Sequence, residues 1–289
     1  MYFWKMNGAG NDFIVVNNIK EQIPESRMPD LARKLCHRHL SIGGDGVMFV
    51  EQAADADISM RIFNADGSEA EMCGNGLRCI ARYAWEEKLA DNPINVQTKA
   101  GAAVAQRISK REYKTSLQGI TLVKNLATVT VNGREYTYTY VEIGNPGLPH
   151  IVVPVNDLQK QDRQMLHLDG ASLRHHSNFP KGTNVNFCEA LDASSVDLLT
   201  YERGVENFTY ACGTGSGAVA FVLRMQNAVN SDTIKLNVPG GLLRVELVKN
   251  SPGNNAEDFD IYLTGDTNIV CKGDITDEDL YFSCIKEKK

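Results

Sequence analysis

Three segments of the chain have the spacing of apolar residues that an α-helix requires, and the first is the clearest. Its apolar residues recur every three or four positions and share one helical face: Leu77, Ile80, Ala81, Ala84 and Trp85. The second segment runs from Ala218 to Met225 and is apolar on nearly every side, which is typical of a helix enclosed by a sheet. A third helix is predicted over about 28–40, ending before Gly43-Gly44.

Most of the remaining chain alternates between apolar and polar positions, which predicts β-strands. Residues 2–17 contain two such runs separated by a glycine-rich turn, and they predict a strand, a turn and a second strand. Asn132-Gly133 precedes a run over 136–143 that predicts half of a hairpin. Further strands are predicted at 46–50, 57–64 and 94–98, within 102–143, and over about 231–271. Many strands with one enclosed helix in each half indicate the α+β class.

The two halves of the chain carry a weak internal repeat. When Cys73 is aligned with Cys212, Cys-Gly-Asn-Gly matches Cys-Gly-Thr-Gly, and Asn64 falls opposite Arg203. The segment that begins at Asn11 has a looser counterpart in the segment that begins at Asn184. Together these matches predict two related domains.

The boundary between the two domains is expected near 110–125, where charged residues and a glycine interrupt the strands. We place it after residue 118, which gives an N-terminal lobe of residues 1–118 and a C-terminal lobe of residues 119–276. The tail, residues 277–289, is expected to return to the N-terminal lobe.

The composition indicates a globular protein and excludes several classes of partner. Of the 289 residues, 43% are hydrophobic and 23% are charged, and the formal net charge is −6. Nucleic-acid binding is not expected, because an acidic chain without a basic stripe cannot neutralise phosphates. No apolar run reaches the length of a membrane span, and the N-terminus lacks the apolar core of a signal peptide, so no membrane association is expected.

Seven cysteines occur at scattered positions, and their odd number predicts neither a disulfide framework nor a metal site. Reduced thiols in a cytoplasmic protein are therefore expected. Five of the seven are assigned to core packing, where a cysteine behaves as a small hydrophobic residue: Cys36, Cys79, Cys188, Cys271 and Cys284.

The other two cysteines, Cys73 and Cys212, are each followed by Gly-x-Gly at the start of a predicted helix. A thiol at a helix N-terminus lies among backbone N–H groups that have no intrahelical acceptor, which favours the thiolate and binds anions. One such motif alone is as typical of an inert helix start as of a reactive thiol. Two motifs at matching places, each preceded by a polar loop, favour chemistry.

The chemistry that two such thiols suit is the inversion of an amino-acid α-carbon. Removing the α-proton is difficult because the carbanion forms beside a carboxylate, and two helix N-termini that converge on that carboxylate lower the barrier without a cofactor. A base on one face and a proton donor on the other permit inversion. The sequence has no dinucleotide-binding fingerprint and no metal-ligand spacing, so neither a cofactor nor a metal is predicted.

Several polar residues near strand ends are candidates for substrate binding. Glu202 and Arg203 precede the second cysteine loop; an exposed ion pair is the alternative, but their place opposite Asn64 favours binding. Asparagines beside Gly or Pro are common in turns, so each one alone is more typical of a structural role: Asn11, Asn64, Asn145 and Asn184. His150 is a candidate auxiliary to a thiol, with a loop residue as the equal alternative.

These motifs together identify a family that the chain resembles nearly from end to end. The most specific is Asn-Ala-Asp-Gly-Ser-Glu followed by Cys-Gly-Asn-Gly-x-Arg-Cys, over residues 64–79. Other matching segments lie at 5–13, 144–146, 182–187, 201–204 and 211–215. The chain resembles diaminopimelate epimerase, the cofactor-independent isomerase of lysine and peptidoglycan precursor biosynthesis.

The resemblance implies a fold and an activity. The fold is two pseudo-symmetric α+β lobes, each an antiparallel sheet wrapped around a central helix, with the active site in the interlobe cleft. The activity is the conversion of LL-2,6-diaminopimelate to meso-diaminopimelate, with Cys73 and Cys212 as the acid/base pair. The backbone of four residues would hold the reacting carboxylate: Gly74, Asn75, Gly213 and Thr214. Six residues would hold the other end of the substrate: Asn11, Asn64, Asn145, Asn184, Glu202 and Arg203.

Two departures from the family pattern concern the substrate site. Gly144-Asn145-Pro146 is followed by three further residues before His150, where the family has Gly-Asn-Pro-His, so the positions of Asn145 and His150 are both in question. The loop from Glu202 to Cys212 is one residue longer than the commonest form, and it differs at 205–208.

Two alternatives therefore stay open at the level of sequence. One is a racemase of the same fold that acts on another amino acid, such as histidine; Arg203 and the asparagines favour a substrate with a distal carboxylate. The other is a thiol redox or binding protein with a regulatory disulfide, against which the wide separation of the two cysteines argues. The sequence does not decide between a monomer and a homodimer.

Overall fold

The structure of this protein is a computed structural model that describes residues 1–117, 119–144, 146–250, 258–276, 278 and 280. The chain forms two compact units. The first contains Met1–Thr115 and the chain from Gly265 onward, and the second contains Ser116–Thr264.

The elements in chain order begin with those up to residue 117. They are β1 (Tyr2–Gly8), β2 (Asn11–Asn17), α1 (Asn18–Glu21), a 3₁₀ helix (Glu25–Arg27), α2 (Met28–Leu35), β3 (Gly46–Glu51), β4 (Ile58–Asn64), β5 (Glu69–Ala70), α3 (Gly74–Glu86), β6 (Ile94–Thr98), β7 (Gly101–Arg107) and β8 (Glu112–Leu117).

The remaining elements follow from residue 120. They are β9 (Ile120–Val131), β10 (Arg134–Ile143), β11 (Leu148–Pro154), a 3₁₀ helix (Leu158–Lys160), α4 (Arg163–Arg174), β12 (Asn184–Ala190), β13 (Ser195–Glu202), β14 (Asn207–Phe208), α5 (Gly213–Met225), β15 (Thr233–Val238), β16 (Gly241–Lys249), β17 (Phe259–Asp266) and β18 (Asn268–Asp274).

The first unit is a mixed sheet around α3. β1 pairs antiparallel with β2 and β18, β3 with β4, β4 with β5, and β6 with β7, whereas β2–β3 and β4–β6 are parallel. The parallel pairs arise because a helix separates their strands along the chain. The apolar face of α3 packs in a core with residues such as Trp4, Met48 and Tyr113. The sheet is therefore mixed, and not purely antiparallel as the resemblance implied.

The second unit repeats the pairing of the first. Five strand pairs are antiparallel: β9–β10, β10–β11, β12–β13, β13–β14 and β15–β16. Two pairs are parallel: β11–β12 and β13–β15. The central helix is α5, which is buried from Gly215 to Leu223 and packs against β10, β11, β12 and β16. The repeated order confirms the internal duplication and the α+β class.

One detail of the predicted duplication is wrong. Asn11 was aligned with Asn184, but Asn11 begins β2 and Asn184 begins β12. The counterpart of β2 is β11, because β2 pairs in parallel with β3 as β11 does with β12. The sequence match was misleading because both strands begin with Asn at the same kind of sheet edge.

The local predictions are otherwise confirmed, apart from the end of one helix. Ala9 and Gly10 have positive φ between β1 and β2, and Asn132 and Gly133 have positive φ between β9 and β10, as tight hairpin turns require. The helix predicted over about 28–40 ends at Leu35 instead. Beyond it, the carbonyl of Leu35 accepts from the N–H of Gly43, which turns the chain back.

The positions at which the chain changes unit differ from the predicted lobe boundaries. The first unit ends at Thr115, which is paired with Ala105 of β7, and not at 118. The return begins at Gly265, because β18 pairs with β1, and not at 277. Of the predicted returning tail, only residues 278 and 280 are described, and Leu280 is buried in a cluster with Met28 and Ile275.

Candidate active site

Cys73 and Cys212 are the N-cap residues of the two central helices. Both have extended backbones, with φ −140° and ψ 118° at Cys73 and φ −114° and ψ 113° at Cys212. Each thiol sulfur accepts from the backbone N–H three residues later, at 3.4 Å from Gly76 and from Gly215. Each helix has 13 residues. Two thiols therefore occupy equivalent positions, at the positive end of a helix dipole.

The glycines around these caps allow the close packing that positions them. A side chain at Gly8 would collide with the sulfur of Cys79 and the carbonyl of Asn75, so glycine lets the end of β1 approach the first turn of α3. A side chain at Gly215 would overlap Oδ1 of Asn186. Gly215, in the second Gly-x-Gly motif, thus serves packing as well as helix initiation.

Three other cysteines are core residues, as predicted. Burial raises the pKa of Cys36 to about 11 and the pKa of Cys79 and Cys188 to about 12, which keeps their thiols protonated at neutral pH. Cys271 was also assigned to the core, but it is exposed because β18 presents most of its residues to solvent. Cys284 lies outside the described residues.

In the first unit, Asn11 and Asn75 belong to a directed chain of hydrogen bonds. Arg78 Nη2 donates to Asn75 Oδ1 at 2.5 Å, Asn75 Nδ2 donates to Asn11 Oδ1 at 2.6 Å, and Asn11 Nδ2 donates to Asp45 Oδ2 at 3.0 Å. A guanidinium only donates and a carboxylate only accepts, so the orientation of both amides is fixed. The start of β2 is thereby tied to the first turn of α3.

The hydrogen-bond chain ends at the carboxylate of Asp45, and this carboxylate and that of Asp12 are paired with cations. Arg38 bridges Asp45 at 2.8 Å and Asp12 at 2.6 Å, and Lys5 bridges Asp12 at 2.7 Å. Burial acts to raise the pKa of Asp12, but the hydrogen bonds from Arg38 and Lys5 outweigh it and lower the pKa to about 2. Asp12 therefore stays ionised at neutral pH, and its partner Arg38 also pairs with Asp45, which accepts the hydrogen bond from Asn11.

Asn64 lies at the same edge of the sheet. It ends β4 and pairs with Gly46, which pairs in turn with Phe13 of β2. Its Nδ2 donates to Ser68 Oγ at 3.0 Å, and its side chain is exposed. The first unit therefore presents Asn11, Asn64 and the Cys73 turn on elements that end or begin close together.

In the second unit, Asn184 holds the backbone at Arg203. Its Oδ1 accepts from the N–H of Arg203 at 2.8 Å, and its Nδ2 donates to the carbonyl of Pro149 at 3.0 Å. The side chain of Arg203 donates to the carbonyl of Lys181 at 3.0 Å. Asn184 is buried and positions Arg203, a role that the sequence did not indicate.

The loop after β13 is anchored to the end of α4. The carboxylate of Glu206 contacts Arg174 at 3.0 Å and His175 at 3.3 Å, and it accepts from the N–H of Gly204 at 3.0 Å. Glu202 lies at the start of this loop, where burial raises the pKa of its carboxyl. The longer loop of this chain is thus held by the ion pair between Glu206 and Arg174 and by the contact of Glu206 with His175.

His150 is fully buried on β11, beside Asn184 of β12. Asn186 Nδ2 donates to the carbonyl of Ile151 at 2.9 Å and faces His150 Nδ1 at 3.3 Å, so Nδ1 accepts and the ring proton lies on Nε2. Burial, with the charge of Arg203, lowers the pKa of His150 to about 3, so the ring is neutral at pH 7. Asn145 lies outside the described residues.

The remaining predicted residues are in the first turns of the two helices. Gly74 and Asn75 begin α3, and Gly213 and Thr214 begin α5. The hydroxyl of Thr214 lies 3.6 Å from the sulfur of Cys212. Within the described ranges, no group of His, Cys, Asp and Glu side chains is arranged to hold a metal ion.

Sequence reasoning missed Arg78, Asp45 and Asn186. Arg78 lies between two buried residues of α3, Leu77 and Cys79, and that position was the available signal. Asp45 and Asn186 gave no signal, because their roles depend on pairing between strands that are distant in sequence.

In the part of the chain that is described, no helix has the length and apolar character needed to cross a membrane.

The duplicated fold is also found in other solved structures. The PhzF-family phenazine biosynthesis protein of Bacillus anthracis has a TM-score of 0.71 at 16% identity and covers 94% of this chain and 98% of its own. A hydroxyproline epimerase from Agrobacterium vitis has a TM-score of 0.64 at 18% identity, with coverage of 94% and 90%. The chain therefore has the same fold as these two proteins, and it consists of two α+β units.

Sequence similarity narrows the class to one family. The family model described as Diaminopimelate epimerase matches residues 3–119 and 142–270. The curated diaminopimelate epimerase of Methanothrix thermoacetophila is 38% identical over 96% of both chains, and that of Aquifex aeolicus is 35% identical over 98% of this chain and all of its own. The chain belongs to the diaminopimelate epimerase family.

Proposed function

We propose that this protein converts LL-2,6-diaminopimelate to meso-diaminopimelate, with Cys73 and Cys212 as the two acid/base groups. The observation that carries the assignment of the thiols is their equivalence: both cap a central helix and accept the same hydrogen bond, at 3.4 Å. Curated relatives with the name diaminopimelate epimerase support the substrate.

The proposed reaction needs no oxidant or reductant. One cysteine, as the thiolate, removes the α-proton and becomes a thiol, and the electron pair of the C–H bond passes into the adjacent carboxylate. The other cysteine donates its proton to the opposite face of the α-carbon and becomes a thiolate. In the reverse direction the two thiols exchange roles.

The first turns of α3 and α5 would stabilise the charge that develops on the carboxylate. N–H groups in a first turn point out of the helix without intrahelical acceptors, and the helix dipoles add to their effect. We assign this role to the backbone of Gly74, Asn75, Gly213 and Thr214. Their positions on α3 and α5 match in the two halves.

The distal end of diaminopimelate carries a second carboxylate and a second ammonium. Arg203 suits that carboxylate because its planar fork makes two parallel hydrogen bonds, and Glu202 suits the ammonium. Asn11, Asn64 and Asn184 would contribute amide groups, with Asn11 and Asn184 already oriented by their protein partners. For Asn145 the binding role remains a prediction from the family pattern.

We further propose that the reaction proceeds without a cofactor and in the cytoplasm. The sequence supports a reducing compartment, because its seven cysteines are odd in number and scattered along the chain. Enzyme dialysed against chelator and free of pyridoxal phosphate should react at the full rate. Activity that returns only with added metal or pyridoxal phosphate would contradict this.

Single cysteine variants test the two-thiol mechanism. Cys73→Ala and Cys212→Ala should each abolish conversion of LL- to meso-diaminopimelate, while a substrate with a good β-leaving group still undergoes elimination by the remaining base. Cys188→Ala is the matched control, since it removes a buried thiol from the second unit. Full epimerisation by either N-cap variant would falsify the assignment.

A substrate panel separates diaminopimelate from the alternative substrates. Exchange of the α-proton in D₂O should be fastest with diaminopimelate and much slower with histidine and other L-amino acids. A preference for an amino acid without a distal carboxylate would favour a racemase of different specificity. Reversible loss of activity on oxidation, without catalysed exchange by the reduced protein, would favour the redox alternative.

A further inference from the structure

Among the residues that the structure describes, the buried cation Arg78 has no carboxylate partner. It lies on α3, its side chain has 0% exposure, and it forms no ion pair within the described part of the chain. Its Nη2 donates to Asn75 Oδ1 at 2.5 Å, its Nη1 donates to the carbonyl of Gly74 at 3.4 Å, and its Nε has no hydrogen-bond partner among the described residues. The guanidinium thus holds the turn that follows Cys73.

A charge in this position is costly unless an anion compensates it. An isolated buried charge destabilises the folded state, because the charge loses its hydration and no opposite charge compensates for the loss. A guanidinium does not escape the penalty by losing its proton, because its intrinsic basicity is too high. The retention of Arg78 at this site therefore points to an anion nearby.

The charged and titratable neighbours of Arg78 leave one strong candidate for that anion. Burial lowers the pKa of Arg78, and Cys79, Cys73 and Asp266 act in the opposite direction. Cys79 stays a neutral thiol, since burial raises its pKa to about 12. Asp266 is already paired with Arg111. The remaining candidate for the anion is the thiolate of Cys73, which lies at the N-terminus of the same helix.

The position of α5 that matches Arg78 does not carry a cation. The fifth residue after Cys73 is Arg78, and the fifth residue after Cys212 is Gly217, where a side chain would collide with Leu117. The first turn of α5 is instead supported by Ser216, whose hydroxyl donates to the carbonyl of Cys212 at 2.8 Å. The two thiols therefore differ in their surroundings, because the helix that follows Cys73 carries a buried guanidinium where the helix that follows Cys212 carries a glycine.

We propose that Arg78 is a positioning residue for the epimerase reaction. Its guanidinium clamps the Gly74-Asn75 turn from inside the unit and supplies the positive charge that favours an anion at the start of α3, first the Cys73 thiolate and then the carboxylate of the substrate. It acts through the turn and does not touch the reacting atoms. The inference rests on the proposed function and extends it.

The test compares the pH dependence of alkylation at the two thiols in one protein. Iodoacetamide labelling of Cys73 and Cys212 is followed by mass spectrometry between pH 5 and pH 10. The variants are Arg78→Gln, which removes the charge and keeps a donor for Asn75, and Arg78→Lys, which keeps the charge. Arg82→Gln is the matched control, because Arg82 is also buried on α3 but donates to the carbonyl of Thr267.

Arg78→Gln should slow the labelling of Cys73 at pH 7 by about tenfold, equivalent to one pKa unit, and leave Cys212 unchanged. Arg78→Lys should keep labelling of Cys73 within about threefold of wild type, because the charge remains. The kcat for diaminopimelate should fall by roughly a hundredfold in Arg78→Gln, with a smaller change in KM. Arg82→Gln should leave both labelling profiles as in wild type.

Thermal stability distinguishes positioning from simple structural support. Removing an uncompensated buried charge should leave the melting temperature of Arg78→Gln unchanged or raise it. A lower melting temperature with an unchanged Cys73 profile would overturn the proposal, as would equal changes at Cys73 and Cys212. If Arg78→Gln does not fold, loss of Cys73 labelling in Arg78→Lys also overturns it.

The labelling experiment does not depend on the substrate. Should wild-type enzyme fail to epimerise diaminopimelate, the proposed function fails, while the difference between the two thiols still tests the charge of Arg78. A normal wild-type rate with no effect of Arg78→Gln would leave the proposed function intact and remove this inference.

Discussion

The Nδ2 atom of Asn75 donates a hydrogen bond of 2.6 Å to Oδ1 of Asn11, and this bond joins the helix that follows Cys73 to the strand that begins at Asn11. The direction of the bond is set from both ends, by the guanidinium of Arg78 and the carboxylate of Asp45. One Nδ2 hydrogen of Asn11 donates to Asp45, and our proposal assigns the second Nδ2 hydrogen to the substrate. Orientation of this kind reduces the reorganisation that substrate binding requires.

The first prediction concerns Asn75. Asn75→Asp replaces the donor to Asn11 with an oxygen, so two acceptors face each other and the amide of Asn11 loses its fixed orientation. We expect kcat/KM for diaminopimelate to fall by about 1.5–3 kcal/mol of transition-state stabilisation. Steady-state kinetics measure it. Asn227→Asp, at an exposed position after α5, serves as the control. A wild-type kcat/KM in Asn75→Asp would contradict the directed chain.

The second prediction concerns Arg203. Arg203→Lys loses the planar fork but leaves the backbone N–H of residue 203 on Asn184. We expect kcat/KM to fall by roughly 1.5–3 kcal/mol, and a similar loss for Asn64→Ala, because a desolvated carboxylate is left short of donors. Slow α-proton exchange should persist, since both thiols are unchanged.

The control for Arg203→Lys is Arg163→Lys, because Arg163 is an exposed arginine on α4. An unchanged rate in Arg203→Lys, with a preference for an amino acid without a distal carboxylate, would rule out diaminopimelate. Specificity would then be sought in the loop at 205–208.

The third prediction concerns His150 and acid stability. Burial lowers the pKa of His150 from 6.5 to about 3, so the folded state favours the neutral ring. This contribution to the free energy of unfolding is fully present above pH 6.5 and is lost as the pH falls towards 3, by about 3 kcal/mol between pH 6.5 and pH 4. His150→Gln keeps an acceptor for Asn186. In this variant the free energy of unfolding should not show the decrease that the histidine causes between pH 6.5 and pH 4.

Urea denaturation of wild type and His150→Gln at several pH values measures the difference. Carboxylates contribute equally to both proteins, so the difference between them isolates the histidine. A difference that stays constant from pH 7 to pH 4 would show that His150 is not a buried neutral ring. The kcat of His150→Gln at pH 7 tests its auxiliary role separately.

The fourth prediction contrasts two buried cysteines of the second unit. Cys188 is a core residue, and its replacement by Ala should lower the free energy of unfolding by about 1 kcal/mol and leave kcat unchanged. Cys212→Ala should abolish epimerisation with a smaller effect on stability. Thermal melting and the epimerase assay measure the two effects. Loss of activity without loss of stability in Cys188→Ala would contradict the assignment of roles.

The start of each central helix could be predicted from the sequence because a cap is local. The hydrogen bond to each thiol joins residues three positions apart, and glycine and apolar spacing signal the helix that follows. Helix α4 could not be predicted in the same way. Its buried positions have helical spacing, but two of the four are Asp169 and Gly170, which obscure the apolar stripe.

Asp169 is buried because of partners that are far away in sequence. Its carboxylate accepts from Tyr136 at 2.5 Å and from Asn132 at 2.9 Å, and it pairs with Arg134 at 2.8 Å. An isolated carboxylate would remain in water, so only the assembled hairpin of β9 and β10 makes its burial favourable.

By itself, the sequence determined the α+β class, the duplication, the family and the two thiols, because these depend on residues that are close together or on motifs repeated along the chain. Tertiary structure decided which strands pair, and through that pairing it decided which amides are held by partners distant in sequence. Asn184 is held by the backbone N–H of Arg203, and Asn11 is held by the carboxylate of Asp45. Strand register joins residues that the sequence separates widely, and the free energy of a buried polar group depends on those partners.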